Sequence, residues 1–331
     1  MAKSRAELID DLERLREARV LIFFTGDRPG LETKIAAEVL DHFVAHLDAM
    51  GDGPGICLFL YTRGGDTLAA WSIANLLRQF CDSLEIVVPS KAHSAGTLMC
   101  LAADRIVMTK QATLGPIDPS VNGPLNPAIP GAPAQVKAPV SVEDIGGFVD
   151  FALSVTESTE NRTQALQVLA QNVHPLVLGK AFRARTQIRM LAKKLLAKRS
   201  NHLEHSEKLL QFLCSESGSH DYTIDRREAR EELGLPIAKP DDELYSVVKA
   251  LYDDISGELE LGSPYDPGST LGTNQTFAYS FNRALLQSTR GGRHVFVTEG
   301  TLARQVVKTP QGAQTGIQDE RTFEGWKHFN A

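Results

Sequence analysis

Between residues 19 and 109, short runs of β-branched, aliphatic and aromatic residues alternate with helical patterns, and this alternation constrains the fold more than any other feature of the chain. Arg19-Val-Leu-Ile-Phe-Phe24 reads as a buried strand. The turn Gly26-Asp-Arg-Pro-Gly30 stops it, and Leu31–Met50 has helical periodicity. Ile56–Tyr61 is a second strand, followed by Arg63-Gly64-Gly65-Asp66 and a helix over Thr67–Phe80. Leu84–Pro89, an apolar helix around Ala95–Ala103 and a strand at Arg105–Thr109 complete the series. Such βαβ units predict a mostly parallel sheet. Before them, Leu8, Ile9, Leu12 and Leu15 mark an amphipathic helix over residues 5–18.

Past residue 110 the character changes. Residues 111–140 hold seven prolines, which neither helix nor strand accommodates, and so long an irregular stretch inside a compact domain is usually functional. Ser141-Val-Glu-Asp144 has the form of a capping box, and helical patterns run from there to about residue 213. Thr223–Leu235 reads as a short strand and helix. A helix over Asp241–Ile255, a Gly/Ser/Pro linker over Gly257–Gly272 and strands at His294–Thr298 and Gln305–Thr309 follow. The boundaries so predicted are an N-terminal helix at 1–19, a main domain at 20–237 and a C-terminal extension at 238–331 of open role.

Composition narrows the function. The 331 residues are 42% hydrophobic and 23% charged with a net charge of −6, so no chain-wide basic field exists to hold nucleic acid or anionic lipid. The apolar runs Val20–Phe24 and Ile56–Tyr61 are too short to span a bilayer, and Met1–Leu15 has no signal-peptide segment. Cys57, Cys81, Cys100 and Cys214 show neither CxxC pairing nor ligand spacing, so no metal and no disulfide is expected. No P-loop is present, so no nucleotide or other cofactor is expected. A cytoplasmic α/β protein is the reading that remains.

Two glycine-bearing turns stand at the C-terminal ends of consecutive predicted strands, where open α/β sheets place their sites. In Tyr61-Thr-Arg-Gly-Gly-Asp66 the paired glycines let a backbone N–H approach a bound group closely. In Lys91-Ala-His-Ser-Ala-Gly-Thr97, Ser94 leads directly into a helix, which exposes its hydroxyl beside the N–H of Ala95. Gly65 and Ala95 could together supply the two donors a tetrahedral oxyanion requires. The sequence is not a GxSxG elbow, because Ala92 holds the place of the first glycine. Taken alone, Ser94 reads more readily as an ordinary helix cap than as a nucleophile.

The turn at Gly64-Gly65-Asp66, the run Ser94-Ala-Gly-Thr97, the strand Ala102-Ala-Asp-Arg-Ile-Val-Met108 and the loop Leu114-Gly-Pro-Ile-Asp-Pro119 stand in order within Gly64–Ser120. Together they resemble the serine dehydrogenase proteinase family, in the signal peptide peptidase A-like branch of the Clp protease/crotonase fold. The resemblance covers about residues 20–237. It implies an α/β Clp protease/crotonase-like fold of repeated ββα-type units, with a helical region and a small C-terminal extension. It implies a serine endopeptidase with Ser94 as nucleophile, Gly65 and Ala95 as oxyanion donors and Gly64 at the substrate edge. It also implies a peptide or protein substrate held by strand addition, and a homo-oligomer that encloses its sites.

A serine needs a base. Clp-type proteases use a downstream histidine, yet Ala95–Val173 contains none. His93 adjoins Ser94, where neighbouring side chains diverge, and His174 opens a new helix. The resembled peptidase branch uses a Ser–Lys dyad, and Lys137 stands at that spacing among Val136, Ala138, Pro139 and Val140, where desolvation would favour its neutral form. Lys180 is the alternative, though it opens a basic amphipathic helix. Asp66 and Asp118 read as structural or supporting acids, and Cys100 as a core thiol. Two rivals stay open: a crotonase-type acyl-CoA hydratase or isomerase using Asp118, and an inactive protease-fold scaffold.

Overall fold

A computed structural model describes residues 3–329 apart from 54, 118–119, 156–158, 200–205, 217–218, 220 and 310–311. In chain order, α1 (Arg5–Arg16) leads into β1 (Arg19–Thr25), and a 3-10 turn at Ala37–Val39 opens α2 (Leu40–Met50). β2 (Gly55–Tyr61), α3 (Thr67–Leu77), β3 (Ser83–Val88), β4 (Lys91–Ala92), α4 (Ala95–Cys100) and β5 (Arg105–Met108) follow. Short strands β6 (Thr113–Leu114), β7 (Ser120–Val121) and β8 (Val140–Ser141) precede helices α5 (Val142–Ser154), α6 (Thr159–Asn172), α7 (Pro175–Leu196) and α8 (Ser206–Gln211). After β9 (Ile224–Asp225), α9 (Arg226–Glu231) and β10 (Ile237–Ala238) come α10 (Asp242–Glu258) and α11 (Pro267–Leu271). Three long strands end the chain: β11 (Thr276–Ser288), β12 (Gly292–Thr309) and β13 (Gly312–Phe329).

One eight-stranded sheet runs in the order β10-β5-β3-β2-β1-β11-β12-β13. Its first five strands are parallel, as the alternation predicts, and its last three are antiparallel. The central strands are buried on both faces, which is why they read as unbroken apolar runs and not as alternating ones. Phe23, Leu58, Ile86 and Ile106 face α2, α3, α4 and α7. On the other face, Ile22, Phe24, Phe59 and Val107 meet Leu8, Ile9 and Leu12 of α1 and Leu244, Val248, Leu251 and Ile255 of α10. The apolar stripe of α1 is therefore covered within the chain. A bidentate ion pair from Arg16 to Glu85, both oxygens at 2.6 Å, fastens the end of α1 to β3.

Two expectations need correction. The helix predicted from Leu31 begins only at Ala37, because Ile35 is held extended by main-chain bonds to the Gly64–Gly65 turn. The strands predicted at His294–Thr298 and Gln305–Thr309 are parts of the single strand β12, and β11 and β13 lie on either side of it. The C-terminal extension thus contributes three of the eight strands, and the expected linker contains α11.

Four histidines gather where β12 and β13 cross α2. His46 is fully buried, its Nδ1 2.8 Å from Ser288 Oγ and its Nε2 3.0 Å from His294 Nδ1. The rings of His42 and His328 lie 4.4 and 4.5 Å from that of His294, and burial pushes His42 down against the opposing pull of Asp41 and Glu38. Burial, then the neighbouring histidines, pushes His46 down to about 3 and His294 to about 4. Both rings stay neutral in the fold, whereas the unfolded chain takes up protons below about pH 6.5. Their contribution is present above that pH and lost as the pH falls toward the folded values. Between about pH 6.5 and 5, one such histidine withdraws about 2 kcal/mol. Urea unfolding near neutral pH and at about pH 5 is expected to show that loss, reduced by about its amount in His46→Gln. An equal loss in both proteins would mean that His46 is not its source.

Candidate functional site

The site forms where β2 and β3 release their chains. Thr62 keeps the two loops in register: its N–H donates to Lys91 O at 3.1 Å and its carbonyl accepts His93 N–H at 3.0 Å. Its hydroxyl accepts the Gly64 N–H at 2.9 Å and meets Thr25 Oγ1 at 2.6 Å. The chain then turns through Gly64 (φ +105°) and Gly65 (φ +148°), a path that side chains rarely follow. A Cβ on Gly64 would lie 2.8 Å from Ser94 Cβ, and one on Gly65 would strike the backbone of Ile35. Only glycines let this turn approach Ser94 so closely.

Ser94 stands at φ 52°, ψ −114°, one of three described residues other than glycine with positive φ. As a helix cap it would be expected to accept an N–H from the first turn of α4, but its side chain makes no such bond. The strain therefore buys presentation, not capping. Gly96 lets the helix start at once, because a Cβ there would collide with Thr62 Cγ2. Among the described residues, no hydrogen bond uses the N–H of Gly65 or of Ala95. The structure thus brings together Ser94, Gly64, Gly65 and Ala95.

Lys137 lies on the loop between β7 and β8, whose pairing of Ser120 with Ser141 and Val121 with Val140 closes the proline-rich excursion. The side chain of Asn126, buried in the loop, ties Val121 O to Ala138 O, and Lys137 bridges Ala128 across it. Lys137 is half-buried, and no other described side chain holds its ammonium. Lys180 instead spends a proton on Asn122 O at 3.0 Å, fixing the start of that loop. His93 turns to Thr113 Oγ1 at 2.9 Å, His174 caps α7, and Asp66 caps α3. Cys100 is a buried thiol pushed up to about 12 by burial. Asp118 lies outside the described residues.

One constellation at the site was not visible in the sequence. Asp27 accepts hydrogen bonds from Tyr61 OH at 2.6 Å and from Lys91 Nζ at 2.9 Å, joining the ends of β1 and β2 to the Ser94 loop. Burial opposes the charge of Asp27, yet these two donors outweigh it and hold the carboxyl below its usual range. Burial, then the bond to Asp27, pushes the Tyr61 hydroxyl up. Its members come from three separate segments, and no local pattern marks them.

Residues 38–147 match the model of the ClpP-like SDH-type serine proteinases, a stretch that carries both glycine turns, Ser94 and Lys137. The family resemblance holds over that third of the chain. Two uncharacterized proteins of Methanocaldococcus jannaschii are 31% identical over 195 residues and 41% identical over 66. The chain spans 57% of the first relative's length and 23% of the second's, and these stretches are 59% and 20% of this chain. Among solved structures, a ClpP1 mutant from Listeria monocytogenes is 14% identical at a TM-score of 0.39, over 72% of this chain and 97% of its own. A mutant of a membrane-bound stomatin-specific protease with a substrate peptide is 15% identical at 0.39, over 69% and 79%. Both are loose likenesses. Among the described residues, no helix is long and apolar enough to cross a membrane.

Because a Cβ at Gly65 would displace Ile35, Gly65→Ala is expected to slow fluorophosphonate labelling of Ser94 by about 10²-fold, the scale of one lost oxyanion donor. Gly146→Ala, in open space on α5, is the control and should label at the wild-type rate. Equal rates for all three proteins would remove Gly65 from the site.

Proposed function

We propose that the chain is a serine peptidase that cleaves through a Ser94–Lys137 dyad and an acyl-enzyme. The observation that carries the reading is Ser94 itself. A strained serine with an uncommitted hydroxyl, set against a glycine turn and two unused N–H groups, is built to attack a carbonyl and hold the resulting oxyanion. The match to a serine proteinase family supports the same class of chemistry.

In this mechanism an extended peptide adds along the Gly64–Gly65 edge and places its scissile carbonyl oxygen toward the N–H groups of Gly65 and Ala95. The Lys137 amine takes the Ser94 proton as Oγ bonds to the carbonyl carbon. It returns that proton to the leaving amine as the C–N bond breaks, giving an ester on Ser94. Water then attacks the ester carbonyl and loses a proton to the same amine, which returns it to Ser94 Oγ as the C–Oγ bond breaks and the acid leaves. No nucleotide, metal or other cofactor takes part. The compartment we propose is the cytoplasm. The crotonase reading has no observation in its favour, since a serine stands at the reacting position.

Ser94→Ala is expected to abolish peptide hydrolysis with the fold intact, and Lys137→Ala to lower it by roughly 10²-fold or more. His93→Ala and His174→Ala should cost far less, since one ring is held by Thr113 and the other caps a helix. Loss of activity in Lys180→Ala with Lys137→Ala unaffected would transfer the role of base. A well-folded Ser94→Ala protein that keeps most of its turnover would end the mechanism.

A self-enclosing homo-oligomer belongs to the same proposal, as the restraint on a serine that is always armed. Its support comes from the helical region, where Phe151 of α5 and Leu176 and Phe182 of α7 are 65%, 67% and 73% exposed. Light scattering at micromolar concentration should give a multiple of 36.2 kDa. A mass of one chain with full activity would show that the site is not enclosed.

A further inference from the structure

β11 carries an irregularity that the proposed chemistry does not use. Its register against β12 slips between Asn282 and Ala284, leaving Arg283 as the extra residue of a β-bulge. Bulges re-aim side chains and recur beside active sites. Here both ends of Arg283 face the loop that follows β1. Its carbonyl accepts the Gly26 N–H at 2.8 Å and the Thr33 hydroxyl at 3.0 Å. Its Nε donates to Leu31 O at 2.9 Å and its Nη2 to Glu32 O at 2.6 Å. Nη1 reaches Thr298 Oγ1 and Glu324 Oε2, both at 2.8 Å. Gly26 must be glycine, since Arg283 O fills the space of a Cβ there.

The loop so clasped ends on the oxyanion turn. Ile35 donates its N–H to Gly64 O at 2.9 Å and accepts the Asp66 N–H at 2.8 Å, so its backbone borders Gly65 on both sides. The direction of the Gly65 N–H therefore follows the position of Ile35, which in turn follows Leu31 and Glu32. We infer that Arg283 is a positioning residue for the Gly64–Gly65 turn, through which the C-terminal strands brace the oxyanion donor. A guanidinium suits the task because its rigid fork serves several acceptors in one plane, which a lysine ammonium cannot match. The inference rests on the peptidase reading for its kinetic readout, but not for its structural one.

The test uses the full chain with Arg283→Lys and Arg283→Met. It measures Ser94 labelling by a fluorophosphonate, kcat and KM on a peptide, and amide hydrogen exchange. Folded Arg283→Lys is expected to label at least about tenfold more slowly, with kcat lowered and KM unchanged. Exchange at the Ile35 and Asp66 amides should quicken by about tenfold, while the core amides of Leu58 and Val87 keep their rates. Labelling and exchange both within twofold of wild type would overturn the inference. If wild-type Ser94 is not labelled at all, the peptidase reading fails by itself, and exchange at Ile35 and Asp66 decides the positioning role. Should neither variant fold, Thr33→Val takes their place, since it removes the hydroxyl bound to Arg283 O and should change labelling and exchange in the same direction.

Discussion

The site depends on holding Ser94 in a backbone conformation it would not adopt freely. Such a residue costs on the order of 1–3 kcal/mol and persists only when its surroundings over-determine it. Here they do. Thr62 bonds the residues on either side of Ala92, Gly96 N–H closes onto His93 O at 2.8 Å, and Leu98 N–H onto Ser94 O at 3.0 Å. Thr97 adds a side-chain bond to Ala92 O and receives the Gly115 N–H. At about 1 kcal/mol net for each bond, these six contacts exceed the strain. None of the six uses the Ser94 hydroxyl, which is left free.

Much of this was legible in the sequence because it is local. Unbroken apolar runs identify strands buried on both faces, and the two glycine turns identify where the chain must bend tightly. What was not legible involves residues far apart along the chain. The extended segment before Ala37 looks helical by periodicity, but its bonds to Gly64, Asp66 and Arg283, all distant in sequence, hold it out of a helix. Asp27, Tyr61 and Lys91 form one network from three strand ends, yet each is unremarkable in its own neighbourhood. Lys137 falls between these cases. Its spacing is visible, but the proline-rich loop that carries it has no periodicity from which to place it.

The C-terminal strands were hidden for a different reason. β13 lies at the edge of the sheet, and an edge strand has no need of a continuous apolar face, so Gly312–Phe329 reads as polar and featureless. β11, by contrast, pairs with β1 through Leu21–Thr25 and joins the parallel core directly. Its Leu285 and Leu286 enter opposite faces of the core, which is how a segment beyond the recognisable motifs comes to share the packing beneath the site.

That packing also decides where an assembly can form. An amphipathic helix at a chain end invites the idea of a partner, but α1 spends its stripe on α10, and its end is pinned by Arg5 to Asp254 and by Arg16 to Glu85. Leu8, Ile9 and Leu12 of α1 are thus covered within the chain. The helical region has the opposite arrangement. α7 buries Ile188, Leu191, Ala192 and Leu195 against the core while Phe182 and Met190 stand outside, beside Arg185, Arg189 and Lys193. Glu207 of α8 pairs with Arg189 and Lys193, at 2.8 Å from each, and its single charge leaves this face net positive, with Lys194 also on it. The outer face of α7 therefore sets Phe182 and Met190 beside a net positive charge, so covering those apolar side chains also means desolvating or pairing these cations. The loop that bears Lys137 is anchored to α7 through the bond from Lys180 to Asn122 O, so a surface placed on α7 would lie next to that loop.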